Sequence, residues 1–161
     1  MILLKLKIYL LTFTFLISCT NYSTSKSISI PPILTSVYKI PTGYLVTFRA
    51  VNAELFFLDY KLYIGANDNS ARNPPDLNAG VGCTNRTILP NLPAEYSIEI
   101  SPNTGDKATV NTGENGARVC KFQTTVTTGQ FIAMRSTVLS FQPGQPTNVS
   151  FSLSSNALIV P

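Results

Sequence analysis

The chain reads as an all-β protein, an antiparallel β-sandwich of seven to nine strands, and three observations predict it. Of its 161 residues, 18 are Thr, 15 Ser and 13 Asn, with 11 Pro and 9 Gly, whereas charged residues make up only 12%. Thr suits a pleated strand, while Asn, Ser, Gly and Pro supply turns. Apolar residues recur with a period of two, and turn signals return about every ten residues.

Each element follows in order. Pro31 to Ile40 opens with two prolines, which suits an edge strand entering a sheet. In Gly43 to Asn52, Tyr44, Val46, Phe48 and Ala50 share one face and Thr47 and Arg49 the other. Phe56 to Gly65 turns Phe56, Leu58, Tyr60, Leu62 and Ile64 inward and Asp59, Lys61 and Tyr63 outward. Residues 66 to 82 have no period and are dense in Asn, Pro and Gly, predicting a long loop with at most a short edge strand and no helix. Thr87 to Leu92 is a short apolar segment, and in Tyr96 to Ser101 the residues Tyr96, Ile98 and Ile100 alternate with Ser97 and Glu99. Ala108 to Thr112 and Ala117 to Val126 flank Gly113-Glu114-Asn115-Gly116, whose Asn-Gly step predicts a hairpin. Gln130 to Phe141 and Thr147 to Leu153 follow, separated by Pro143-Gly144, and Ala157 to Val160 adds a last edge strand.

The amino terminus reads as an address. Residues 1 to 18 carry Lys5 and Lys7 ahead of an apolar run from Ile8 to Ile17, too short for a bilayer span of roughly 20 residues and suited to a secretory signal. It ends in Leu16-Ile17-Ser18-Cys19, which resembles the bacterial lipobox. That resemblance implies acyl chains on Cys19, cleavage after Ser18 and anchorage in a membrane through those chains. Residues 19 to 30 then form a Ser/Thr-rich tether, and residues 31 to 161 the sandwich domain. Removal of residues 1 to 18 takes two lysines, so the formal charge falls from +4 to 10 − 8 = +2. That small charge gives no basis for nucleic-acid binding. Thr20 is not the acidic residue that retains enteric lipoproteins in the inner membrane, so the outer membrane is the expected location, at the cell surface or else on the periplasmic face.

With Cys19 carrying lipid, Cys83 and Cys120 form an even pair in an oxidising compartment and are expected to form a disulfide. The rival readings are two free thiols or a metal site, and two cysteines without a single His make poor zinc ligands.

Residues 31 to 101 resemble the fibronectin type III family within the wider immunoglobulin-like class. Gly43 to Ala50 looks like its second strand, Leu58-Asp59-Tyr60-Lys61-Leu62-Tyr63 like its third, and Leu92-Pro93-Ala94-Glu95-Tyr96-Ser97-Ile98 like its tyrosine corner. The resemblance implies that Tyr96 buries its ring and bonds its hydroxyl to backbone upstream. The family's core Trp is missing, with Phe48 the nearest candidate, and the part after residue 101 is longer than one final strand.

Residues that carry chemistry are scarce, and no catalytic, cofactor-binding or metal-ligating residue is assigned. Without His, a nucleophile has no common base, and neither a nucleophile elbow nor a Gly-rich phosphate loop is present. Glu95 and Glu99 share a strand face but lie about 13 Å apart by strand rise, too far for a glycosidase pair, and are expected to be solvent-facing charges. Asn67, Asp68, Asn69 and Asp76 could offer oxygens to calcium but lack EF-hand spacing, so turn chemistry is the simpler expectation. Tyr38, Tyr63 and Arg49 face away from the core and are candidates for recognition. The expected function is non-enzymatic binding of a host or envelope protein, adhesin-like, through loops such as 66 to 82 and 102 to 118, with no small-molecule substrate. The alternative is a periplasm-facing structural or assembly component.

Overall fold

The computed structural model describes residues 30–51, 57–84, 94–103, 121–140, 144 and 147–161. They form β1 (Ile33–Ile40), β2 (Gly43–Ala50), β3 (Phe57–Gly65), a five-residue helix α1 (Asp68–Arg72), a 3-10 turn (Leu77–Ala79), β4 (Val81–Thr84), β5 (Ala94–Ser101), β6 (Lys121–Gln123), β7 (Phe131–Ser140), β8 (Asn148–Phe151) and β9 (Leu158–Ile159). The protein is all-β: a single curled sheet in the order β1-β2-β5-β6-β4-β3-β7-β8, with β9 following β8 along the same edge of β7.

The sheet is mixed, which corrects the expectation of antiparallel pairing throughout: β5 and β6 run parallel, with Glu99 opposite Lys121 and Ile100 opposite Phe122. A parallel pair requires a long connection rather than a hairpin, and 19 residues lie between Ser101 and Lys121. The predicted hairpin at Asn115-Gly116 and the segment Thr87 to Leu92 lie outside the described residues.

Period-two patterning decides which face is buried. On one arm, Val46 and Phe48 of β2 stand opposite Ile98 and Tyr96 of β5, and Phe122 of β6 extends the row from Ile100. On the other, Tyr60 and Leu62 of β3 and Ile132 and Met134 of β7 turn inward. The arms meet at the Phe48 ring, which packs edge-on against Tyr60 with centroids 4.9 Å apart and 76° between planes. Phe48 also lies 5.6 Å from Tyr96 and is fully buried, at the centre of the core.

Two β-bulges interrupt the ladders, and one of them changes the predicted facing. The register slips between Phe57 and Asp59, so Phe57 joins Tyr60 in the core, 5.0 Å ring to ring, and Leu58 is only half-buried. Strict alternation assigned Leu58 inward; one extra residue shifts the facing at the start of β3, while Tyr60 and Leu62 face inward as predicted. A second slip, between Leu34 and Ser36, marks β1. Gly43 opens β2 at φ +152°, where a side chain would strike the Ile100 carbonyl.

The sheet's two edges come together. Beyond β8, Ser152 N–H donates to Ser136 O (2.9 Å) while Ser136 N–H donates to Ser152 Oγ (3.0 Å). Ser155 repeats the exchange with Met134 at 2.9 and 2.8 Å. Serine hydroxyls thus stand in for strand carbonyls where regular pairing lapses between β8 and β9. Next along, Asn156 Oδ1 accepts from Leu34 N–H (2.9 Å) and its Nδ2 donates to Leu34 O (3.0 Å), so one side-chain amide pairs with β1 as a strand would.

Truncating Phe48 to Ala should cost about 3–5 kcal/mol, because it empties the contact between the arms. Tyr38→Ala, on the outward face, should shift stability by less than about 1 kcal/mol. Urea denaturation of both variants measures the difference.

Candidate recognition surface

The face of β1, β2, β5 and β6 turned away from the core carries polar side chains in rows fixed by register. Ile33, Arg49 and Glu95 form one row, Ser36, Thr47 and Ser97 a second, and Tyr38, Leu45, Glu99 and Lys121 a third. The bulge in β1 crowds hydroxyls around Thr47: Thr35 Oγ1 donates to Thr47 Oγ1 (3.0 Å), Ser36 Oγ also bonds it, and Ser36 Oγ donates to Tyr38 OH (2.6 Å). Bonds from Ser36 and then Thr47 hold the Tyr38 phenol below its usual pKa, because they favour the phenolate. Tyr38 and Arg49 are exposed, as the sequence predicts for recognition candidates. Arg49 Nε lies 3.3 Å from Glu95 Oε2, an exposed pair that orients both groups while adding little stability.

Farther along this face the surroundings change. Glu99 and Lys121 stand 3.9 Å apart, Nζ to Oε1, with side chains only 4% and 3% exposed. The expectation of a solvent-facing Glu99 is therefore corrected, while Glu95 is exposed as predicted. Alternation assigns a residue to a face; it does not say whether that face is covered, and here Thr47, Ser97 and Glu99 are all buried on it. The available signal was Lys121 itself, a cation inside the run Val119 to Phe122.

The loop after β3 is more ordered than its composition suggests. Asn67 caps α1: its Oδ1 accepts from Ser70 N–H (2.9 Å) while Ser70 Oγ accepts from Asn67 N–H (3.1 Å). Asp76 Oδ1 accepts from Asn78 N–H (2.8 Å) and caps the 3-10 turn. Asp68 pairs with Arg72 at 3.6 Å, and Asn69 Oδ1 accepts from Asn73 Nδ2 (2.8 Å). The four residues considered as calcium ligands are thus committed to capping and local pairing, the turn chemistry expected of them. The helix itself was missed because a five-residue segment shows too little periodicity.

Three side chains from the sheet pin this loop down. Lys61 Nζ donates to the Asn78 and Gly80 carbonyls (3.2 and 3.3 Å), Tyr63 OH to Leu77 O (2.7 Å), and the Arg135 guanidinium to Arg72 O (2.7 Å) and Ser152 O (2.6 Å). Tyr63 faces away from the core as predicted, but the loop covers it, which removes it from the exposed candidates. Its pKa is pushed up to about 12, first by burial, with Asp59 and Asp76 adding to the rise and Arg135 opposing it. Gly80 permits this contact, since a side chain there would enter the Tyr63 ring at 2.6 Å.

Of the other assigned residues, Tyr96 buries its ring beside Phe48, while Leu92 and Pro93 of the proposed corner lie outside the described residues. Cys83 is buried on β4 opposite Phe122. Cys19, Cys120, the lipobox and most of loop 102 to 118 lie outside the described residues. Among the described residues, no group of three or more Cys, Asp or Glu side chains is placed to hold a metal ion, and no helix is long and apolar enough to cross a membrane.

Removing one member of the buried pair, by Glu99→Gln or Lys121→Met, should cost about 3–5 kcal/mol, and replacing both with Met should recover most of that loss; chemical denaturation of the three variants checks it. Tyr63 supplies an alkaline test. Its folded pKa exceeds the ordinary value near 10, so its full contribution to stability holds below pH 10 and is lost as pH rises from about 10 toward 12. Tyr63→Phe should lose about 1 kcal/mol at pH 7 with the bond to Leu77, and should show a shallower decline in unfolding free energy across that alkaline window.

No protein-family model, curated protein or solved structure matches the chain.

Proposed function

We propose that this chain is an acylated lipoprotein of the bacterial outer membrane, a non-enzymatic β-sandwich resembling fibronectin type III that is displayed at the cell surface to bind a host or matrix protein. The observation that carries the address is Leu16-Ile17-Ser18-Cys19, placed in register behind a charged start and a short apolar run. Two features of the fold support a sandwich-type binding module. The neighbours β1-β2-β5 and β3-β7-β8 follow the A-B-E and C-F-G adjacency of immunoglobulin-like sandwiches when β6 is counted as an addition. An outward face bearing exposed Tyr38 and Arg49 offers the residue types that dominate protein interfaces.

A Cys83–Cys120 disulfide belongs to the same reading. Thr84 pairs with Lys121, so Cys83 and Cys120 each adjoin that strand pair, one on β4 and the other directly before β6. Closing a loop of about 38 residues would contribute roughly 4 kcal/mol.

Mass spectrometry of the mature protein should find diacylglyceryl-modified Cys19 at the new amino terminus; an unmodified terminus elsewhere would end the lipoprotein reading. Protease treatment of intact cells should release the domain. Retention of the domain until the outer membrane is opened would instead assign it to the periplasmic face as an assembly component. Alkylation without reductant should leave Cys83 and Cys120 unlabelled.

A further inference from the structure

The seam where the sheet's edges meet is bordered by exposed aliphatic side chains. Among the described residues, six large apolar side chains are exposed, and four of them flank the Leu34–Asn156 junction. Ile30 (52%) and Ile33 (58%) lie on the β1 side; Leu153 (77%) and Ile159 (56%) each lie three residues from Asn156 on the other. Their facing is set by the strands. Ile33 is opposite Arg49, on the face away from the core, and Ile159 points outward between Leu158, which packs against the core, and Val160, which is buried. Exposed aliphatics on both sides of one junction offer a surface from which water is favourably excluded.

We propose that this seam is a membrane-docking surface, which seats the domain on the lipid leaflet that holds its anchor. The inference rests on the lipoprotein reading of Cys19. Where the tether enters the domain points to lipid as the occupant, because Ile30 is itself one of the four exposed residues and Cys19 is only about 11 residues upstream. A random-coil chain of that length spans roughly 17–20 Å on average and at most about 40 Å extended. Acyl chains on Cys19 therefore hold the seam within a domain's width of the leaflet at high effective concentration, where even weak insertion of Ile30, Ile33, Leu153 and Ile159 is sustained. Docking along this seam leaves the 3-10 turn Leu77–Ala79, which leads into β4 in the middle of the strand order, farther from the bilayer.

The chain contains no Trp, so a single introduced Trp reports without background. Ile33→Trp places the reporter on the seam and Ala79→Trp places it on the exposed loop above β4, with Ile159→Trp as a second seam reporter should the first perturb folding as judged by circular dichroism. Each variant, purified as the full mature lipidated chain, is reconstituted in phosphatidylethanolamine/phosphatidylglycerol vesicles whose acyl chains are brominated. The seam reporter should be quenched at least twofold more than the loop reporter. Equal quenching, with lipid on Cys19 verified by mass, would overturn docking and leave the anchor standing. Absence of lipid on Cys19 would overturn the anchor and docking together. Protection of the seam reporter from iodide that grows with protein concentration, without bromine quenching, would assign the seam to a second copy of this chain and overturn the lipid proposal.

Discussion

The contact between Phe48 and Tyr60 is the interaction on which the rest of the structure depends. β2 and β3 are adjacent in sequence but far apart in the strand order, so nothing in the backbone ladder joins them directly. Their rings, edge to face across the core, convert a curled ribbon of strands into a body with an inside. Tyr96 and Phe57 extend the same cluster to β5 and to the bulged start of β3. Burial there explains why the outward faces are free to carry polar and aromatic groups in register.

A curled sheet that does not close by regular pairing must deal with its edges. Here short polar side chains do so: Ser152 and Ser155 complete the ladder of β7, and Asn156 completes that of β1. Lys61, Tyr63 and Arg135 in turn fix a loop whose own caps come from Asn67 and Asp76. Backbone satisfaction by Asn, Ser and Asp side chains is thus the physical use of the composition that first suggested turns.

Much of the fold was legible because alternation is a local signal. β2, β3, β5 and β7 lie within a few residues of their predicted bounds, and the faces of Val46, Phe48, Tyr60, Leu62, Tyr96 and Ile98 follow from period two alone. Less local features were not legible. The bulge at Leu58 depends on the partner strand β7, the parallel pairing of β5 with β6 depends on a long connection, and the burial of Glu99 and Tyr63 depends on what covers a face rather than on which face it is. Asn156 gave no signal, since an amide that imitates a strand looks in sequence like any turn residue. Of the recognition candidates, Tyr38 and Arg49 remain on the surface, Tyr38 on the edge strand β1 and Arg49 in register between the exposed Ile33 and Glu95.

A curled sheet presents a fixed outward face only if it is rigid, and here edge-to-edge closure supplies that rigidity. Amide hydrogen exchange at Leu34 tests this most directly, because its N–H, on the outer edge of β1, donates to the Asn156 side-chain amide. Closure predicts that Leu34 exchanges as slowly as the amides of the β1–β2 ladder, and that Asn156→Ala abolishes its protection while leaving β2 protected. Exchange of Leu34 at the rate of an unstructured amide in the unaltered chain would contradict it.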